Sequence, residues 1–103
     1  MVVVIYSTID KVTTAKKIAQ TLVLEKLVAC VNIILKIQSI YRWQDNIENN
    51  EEVLFIAKTT DKKVKKTIRR IKQLHSYEVP EVIALPIVGG LTEYLQYIED
   101  ETT

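Results

Sequence analysis

The sequence predicts an α+β fold: a four-stranded antiparallel sheet with two helices on one face and a short extra helix at the end of the chain. Three observations lead there. Gly 2 and Pro 2 in 103 residues leave little material for loops. The apolar periodicity switches between the two-residue repeat of strands and the 3.6-residue repeat of helices, in the order β-α-β-β-α-β and then a helix. Two of the strands also adjoin as a hairpin with arms of about 14 residues, against a usual strand length of about 5–6.

Val2 to Ser7 is a continuous β-branched and apolar run, which reads as a central strand buried on both faces. Asp10 offers an N-cap carboxylate to the helix that follows. There Ala15, Ile18, Ala19, Leu22 and Val23 form the sheet-facing stripe, and Lys16, Lys17, Gln20 and Thr21 face water. From Ala29 to Trp43 the period becomes two, with Ala29, Val31, Ile33, Leu35, Ile37, Tyr41 and Trp43 on one parity. Gln44-Asp45-Asn46 supplies the turn, because Asp and Asn tolerate left-handed backbone. Ile47 to Thr60 returns as the second arm. Asp61 is the expected cap of the second helix, whose apolar stripe is Val64, Ile68 and Ile71. Val82 to Val88 is the fourth strand, with Pro86 confining it to an edge or a bulge. After Gly89-Gly90, the residues Leu91, Tyr94, Leu95 and Ile98 give the last helix.

One domain over residues 1–103 is expected from this length. Split βαβ connections of right hand put both helices on one face and leave the other apolar and uncovered. A domain this small does not cover such long arms by itself, and projecting strand edges invite pairing, so an oligomer is expected.

A formal net charge of +1, from 14 basic and 13 acidic residues, argues against a dedicated nucleic-acid binder. No run reaches the length of a membrane span, and the first residues read as a strand rather than a leader. The single cysteine, Cys30, allows no internal disulfide, and a cytoplasmic location is the simplest setting. Basic residues crowd from Lys58 to Lys72, and acidic ones gather at residues 45–52 and 93–101. These are either solvated faces or opposite patches that meet between subunits.

The segments LVACVNI, SIYRW, EEVLFIAKTT, LHSYEVPEVIALPI and YLQYI, in this order and spacing, make the chain resemble the CutA family of divalent-cation tolerance proteins from its first strand to about Ile98. The most specific piece is HxYExPE, formed by His75, Tyr77, Glu78, Pro80 and Glu81. The resemblance implies a ferredoxin-like fold, a tight homotrimer and a superficial likeness to PII-type signalling trimers. It also implies a link to copper and other divalent cations, without an established enzymatic activity, so no enzyme is expected. The family often has Pro-Gly where this chain has Leu35-Lys36, and Pro where it has Ser76. Some members carry a Cys near Tyr6 and a second His near Leu74, and this chain has neither.

His75 is the sole imidazole and Cys30 the sole thiol, so these are the candidate metal ligands. Each has a plain alternative: His75 packs at the helix end, and Cys30 acts as a small buried hydrophobe. Two such groups are too few for a closed four-ligand site. Tyr41, Trp43, Tyr77 and Glu78, with Lys58, are candidates to line a cleft between subunits; the alternative is interface packing. No Ser–His–Asp set, phosphate-binding glycine loop or CxxC pair is present. The function that the resemblance implies is a trimeric divalent-cation tolerance protein that binds copper or another divalent metal. The rivals are a PII-like module taking an anionic small molecule at the subunit cleft, and a structural trimer that docks a partner.

Overall fold

A computed structural model describes residues 1–103. Its elements are β1 (Val2–Ile9), α1 (Val12–Leu24), β2 (Cys30–Trp43), β3 (Asn46–Thr60), a 3-10 turn (Asp61–Lys63), α2 (Val64–Leu74), β4 (Val82–Pro86) and α3 (Thr92–Glu101). The strands form one sheet in the order β2-β3-β1-β4, and every neighbouring pair is antiparallel. No helix is long and apolar enough to cross a membrane.

The main core lies between the sheet and the pair α1 and α2. Ile5, Ile9, Val53, Phe55 and Ala57 from the strands meet Ala15, Ile18 and Leu22 of α1 and Ile71 of α2. Alternate residues of β1 and β3 share that face because side chains on a strand alternate, and the register pairs Ile5 with Ala57 and Ile9 with Val53. On the opposite face α3 covers only one end of the sheet, where Ile98 and Leu95 pack on Val2, Ala29 and Ile87.

Helix α1 ends as its sequence allows. Lys26 takes a φ of 59°, its N–H reaches the carbonyl of Val23, and the N–H of Leu27 reaches that of Leu22. This is the left-handed exit that closes the last turn while keeping an apolar residue on the core.

Both expected acidic caps are otherwise engaged. The residue before α1 is Lys11, with no side-chain cap, and Asp10 instead accepts the Ser76 hydroxyl at 2.7 Å. Asp61 begins the 3-10 turn rather than capping α2. Its carboxylate accepts the Lys62 N–H and pairs with the amino group of Met1 at 3.2 Å. The pair holds the Asp61 carboxyl below its usual range and the amino group above its own. Strand β4 also stops at Pro86, short of the expected Val88.

The largest departure is in β2. Ile34 pairs with Leu54 but Ile37 pairs with Glu52, so Leu35 and Lys36 together oppose Val53. This is a β-bulge, and Lys36 sits in it at a φ of 59°. One extra residue exchanges the two faces. Val31 and Ile33 therefore pack on the helix-side core, whereas Ile37, Tyr41 and Trp43, of the same parity, stand on the open face. Gln44 and Asp45, at φ 49° and 68°, make the two-residue turn; Asn46 already belongs to β3 and pairs with Trp43. Two successive positive φ values suit the right-handed twist of a hairpin.

Candidate functional site

The open face carries a groove of about 820 Å³ between the outer half of the hairpin, from Ile37 to Trp43, and the segment that links α2 to β4. Its position follows from the bulge and from His75. After the bulge, Ile37 and Tyr41 stand beside Glu52 of β3 and Tyr6 and Thr8 of β1. His75 ends α2 and then ties the linking segment down over this corner. Its Nε2 lies 2.9 Å from the carbonyl oxygen of Thr8, and its Nδ1 lies 3.0 Å from the backbone N–H of Tyr77. A carbonyl only accepts and a backbone N–H only donates, so Nε2 carries the proton and Nδ1 receives one. The ring is neutral and both nitrogens are committed. Its ring also lies against that of Tyr77, tilted by 46° with centroids 4.8 Å apart.

The polar groups of the groove are mostly acidic. The Tyr77 hydroxyl donates to Glu52 Oε2 at 2.6 Å, and the Thr8 hydroxyl donates to Glu81 Oε1 at 3.3 Å. Glu52 is only 5% exposed. Neither it, Glu78 nor Glu81 belongs to any of the chain's ion pairs, which join Met1 to Asp61 and Glu99, and Arg70 to Glu25. No lysine or arginine lines the groove. Lys72 approaches from outside and donates to the backbone carbonyl of Glu78 at 2.7 Å. Burial, and then the hydrogen bond to Glu52, push the Tyr77 phenol well above its usual value; Asp10 adds to the effect.

Of the residues singled out in the sequence, Tyr41, Trp43, Tyr77 and Glu78 line this groove. Lys58 does not. It pairs with Cys30 and Val4 at the far end of the sheet, where its ammonium meets the Asn32 side chain. Cys30 lies at that end too, with its Sγ 3.2 Å from the Tyr94 hydroxyl. That contact, followed by burial, pushes the Tyr94 phenol up to about 12. His75 and Cys30 therefore stand at opposite ends of the sheet. No three His, Cys, Asp or Glu side chains of the chain gather closely enough to hold a metal ion.

Glu52, Glu81, Tyr6 and Thr8 are not among the candidate site residues that the sequence offers. Glu81 was visible in the HxYExPE element. Glu52 had a quieter signal, as an acid that alternates with Leu54 and Ile56 and so shares their face.

Comparison with known proteins identifies the family. Residues 3–101 match the family described as CutA1 divalent ion tolerance protein. The chain belongs to that family. It is 43% identical to the divalent-cation tolerance protein CutA of Thermus thermophilus, over 96% of this chain and 96% of that one. A solved structure of a Thermus thermophilus divalent cation tolerance protein (CutA1) superposes with a TM-score of 0.97 at 43% identity, covering 100% of both chains. A chloroplastic CutA protein of Arabidopsis thaliana is 40% identical over 97% of this chain, which spans only 55% of its length. A CutA structure from Archaeoglobus fulgidus, described as periplasmic, superposes with a TM-score of 0.96 at 37% identity, again over 100% of both chains.

Proposed function

We propose that this CutA1-family chain is a non-catalytic, trimeric cation-binding protein, and that the acidic groove on its open face is where the cation is held. The observation that carries this reading is the groove itself: three carboxylates, from Glu52, Glu78 and Glu81, and no basic residue. Copper or another divalent metal is the ion that the family's link to cation tolerance suggests. The ion would take one or two groove carboxylates from one chain and complete its shell with water or with a neighbouring chain, since affinity rises with converging ligands. His75 acts by holding the linking segment in place, its nitrogens being engaged by Thr8 and Tyr77.

Assembly is supported by the unfinished face. Ile34, Leu85, Ile83 and Trp43 are each between 44% and 48% exposed there, and the molecule extends to 44 Å along the hairpin but only 22 to 26 Å across it. The strand order β2-β3-β1-β4 agrees with a ferredoxin-like sandwich, and a copy number of three is what the family resemblance suggests. A reducing compartment such as the cytoplasm suits the single unpaired thiol. The PII-like alternative, an anionic ligand, meets the wrong charge within one chain; it would need Lys58 of a neighbouring copy to reverse it.

Two measurements test the proposal. Light scattering should give about three times the chain mass, by the rule of closed symmetry. Calorimetry with Cu²⁺ at neutral pH should show weak binding that Glu78→Gln with Glu81→Gln reduces. Binding unchanged in that double variant would remove the groove from the function.

A further inference from the structure

We propose that the groove binds a small organic cation, an alkylammonium or quaternary ammonium group, with Glu52 and Glu81 supplying the countercharge and Tyr41, Trp43 and Tyr77 the walls. The inference rests on the reading of the groove as a cation site and names the chemical class that fits it.

Glu52 is the starting point. A carboxylate that is 5% exposed is costly unless it is hydrogen-bonded and paired. One of its oxygens is held by Tyr77. The other accepts no hydrogen bond from the chain, and it opens on the groove rather than being enclosed. No ion pair of the chain reaches it. The fold therefore spends no charge of its own on this group.

The surroundings then choose among cations. A bare divalent ion needs several ligands converging on one point, and since no three acidic, His or Cys side chains of one chain do so here it would depend on water or a second copy for the rest. An organic ammonium spreads its charge over a larger surface and needs no such convergence. It also gains from aromatic faces, which attract a cation through the ring quadrupole. The volume of about 820 Å³ falls within the range of roughly 300–1,000 Å³ found for small-molecule sites. An anion would meet the carboxylates instead. The raised Tyr77 phenol, to which burial contributes first and Glu52 and Asp10 after it, agrees with a negative field at that wall.

Trp43 is the only tryptophan of the chain and lines the groove, so its fluorescence reads occupancy directly. Choline chloride should change it saturably in the native assembly, while sodium chloride and sodium succinate should not. Glu52→Gln should weaken choline binding about tenfold, the order expected for losing one charge contact at a partly buried site. Glu81→Gln, at an exposed position, should do the same without risk to folding. No saturable change with choline, or an unaltered affinity in both variants, overturns the proposal. So does choline binding that appears only once dilution has dissociated the assembly, because a basic side chain of a second copy would then be the occupant. Cu²⁺ calorimetry on the same sample separates this inference from the reading beneath it. Choline binding without Cu²⁺ binding supports the organic cation and removes the metal; Cu²⁺ binding without choline binding does the reverse.

Discussion

The two faces of the sheet obey the same alternation and are finished in opposite ways. On the helix side, Phe55, Ala57 and Ile5 are fully enclosed by α1 and α2. On the other side, Leu54 and Ile56 of the same strand are only half-buried, Ile83 and Leu85 are exposed, and α3 reaches just one end. A strand whose even and odd residues differ so much in cover belongs to a chain that completes its core locally and leaves its second face for something else. Beside the bulge that second face also carries buried acid, which a surface meant only for apolar packing would not need. The helix side thus accounts for stability of the single chain, and the open side is where assembly and binding are proposed.

Neighbouring residues of β3 offer the sharpest way to break this distinction. Phe55→Ala should destabilise the chain by about 3–5 kcal/mol, the usual cost of emptying an aromatic site in a packed core. Leu54→Ala should cost the folded chain much less and appear instead as weaker association. Urea unfolding and dilution light scattering on both variants separate the two effects. Equal losses of chain stability would mean that the faces are not functionally different.

Trp43 tests the open side at its far end, where it is 44% exposed in one chain. If a neighbouring subunit covers it, Trp43→Ala should weaken assembly by about 2 kcal/mol or more, as for a central aromatic anchor. The unfolding midpoint of the dissociated chain should stay unchanged. A dissociation constant equal to that of the parent would leave the hairpin tip in solvent.

Tyr77 joins the two sides of the argument, because it satisfies one oxygen of a buried acid that the helix side does not need. Tyr77→Phe removes the donor to Glu52 and should cost about 1.5–3 kcal/mol, the range for a hydrogen bond to a charged group. Its pH signature has a definite sign. The folded phenol lies above its ordinary value of 10.0, chiefly through burial and then through Glu52. The stabilisation is therefore complete below that value and is lost as pH rises beyond it, because the unfolded chain releases the proton first. Urea unfolding in alkaline solution should bring the parent and Tyr77→Phe closer together as pH climbs. A constant gap would mean that the hydroxyl is not what stabilises this corner.

Much of the architecture was legible because it depends on period and length. The apolar run at Val2, the stripe Ala15-Ile18-Leu22 and the over-long hairpin each have one economical reading, and the sheet order follows from their sequence. What was hidden depends on single residues with more than one partner available. Asp10 and Asp61 have the chemistry of helix caps, but Ser76 and the amino group of Met1 claim them instead. Tyr41, Trp43, Tyr77 and Glu78 were legible as a cluster because three are aromatic and all lie near a turn or in one motif. Glu52 was not, because its neighbourhood is created by the bulge, and nothing in the period of β2 announces a bulge. Lys58 was grouped with the cluster on charge alone, and the register places it at the other end of the sheet.

That bulge is the origin of the difference between the faces along β2, and it yields the smallest effect expected. Lys36 holds a φ of 59° with a side chain that is exposed. Left-handed backbone costs a residue with a Cβ roughly 1–2 kcal/mol, whereas glycine adopts it freely. Glycine also gives the unfolded chain more freedom, which removes about 0.5–1 kcal/mol of that gain. Lys36→Gly should therefore stabilise the chain by about 0.5–1 kcal/mol, read as a higher urea midpoint at unchanged slope. Lys36→Val should do the opposite, since a β-branched side chain is least at ease at positive φ. The register beyond the bulge sets which residues face the groove, so choline and Cu²⁺ titrations of Lys36→Gly should match the parent. If glycine at this position instead shifts the pairing and alters the Trp43 signal, then Lys36 does more than tolerate the bulge: it fixes the register that brings Tyr41 and Trp43 to the side of Glu52.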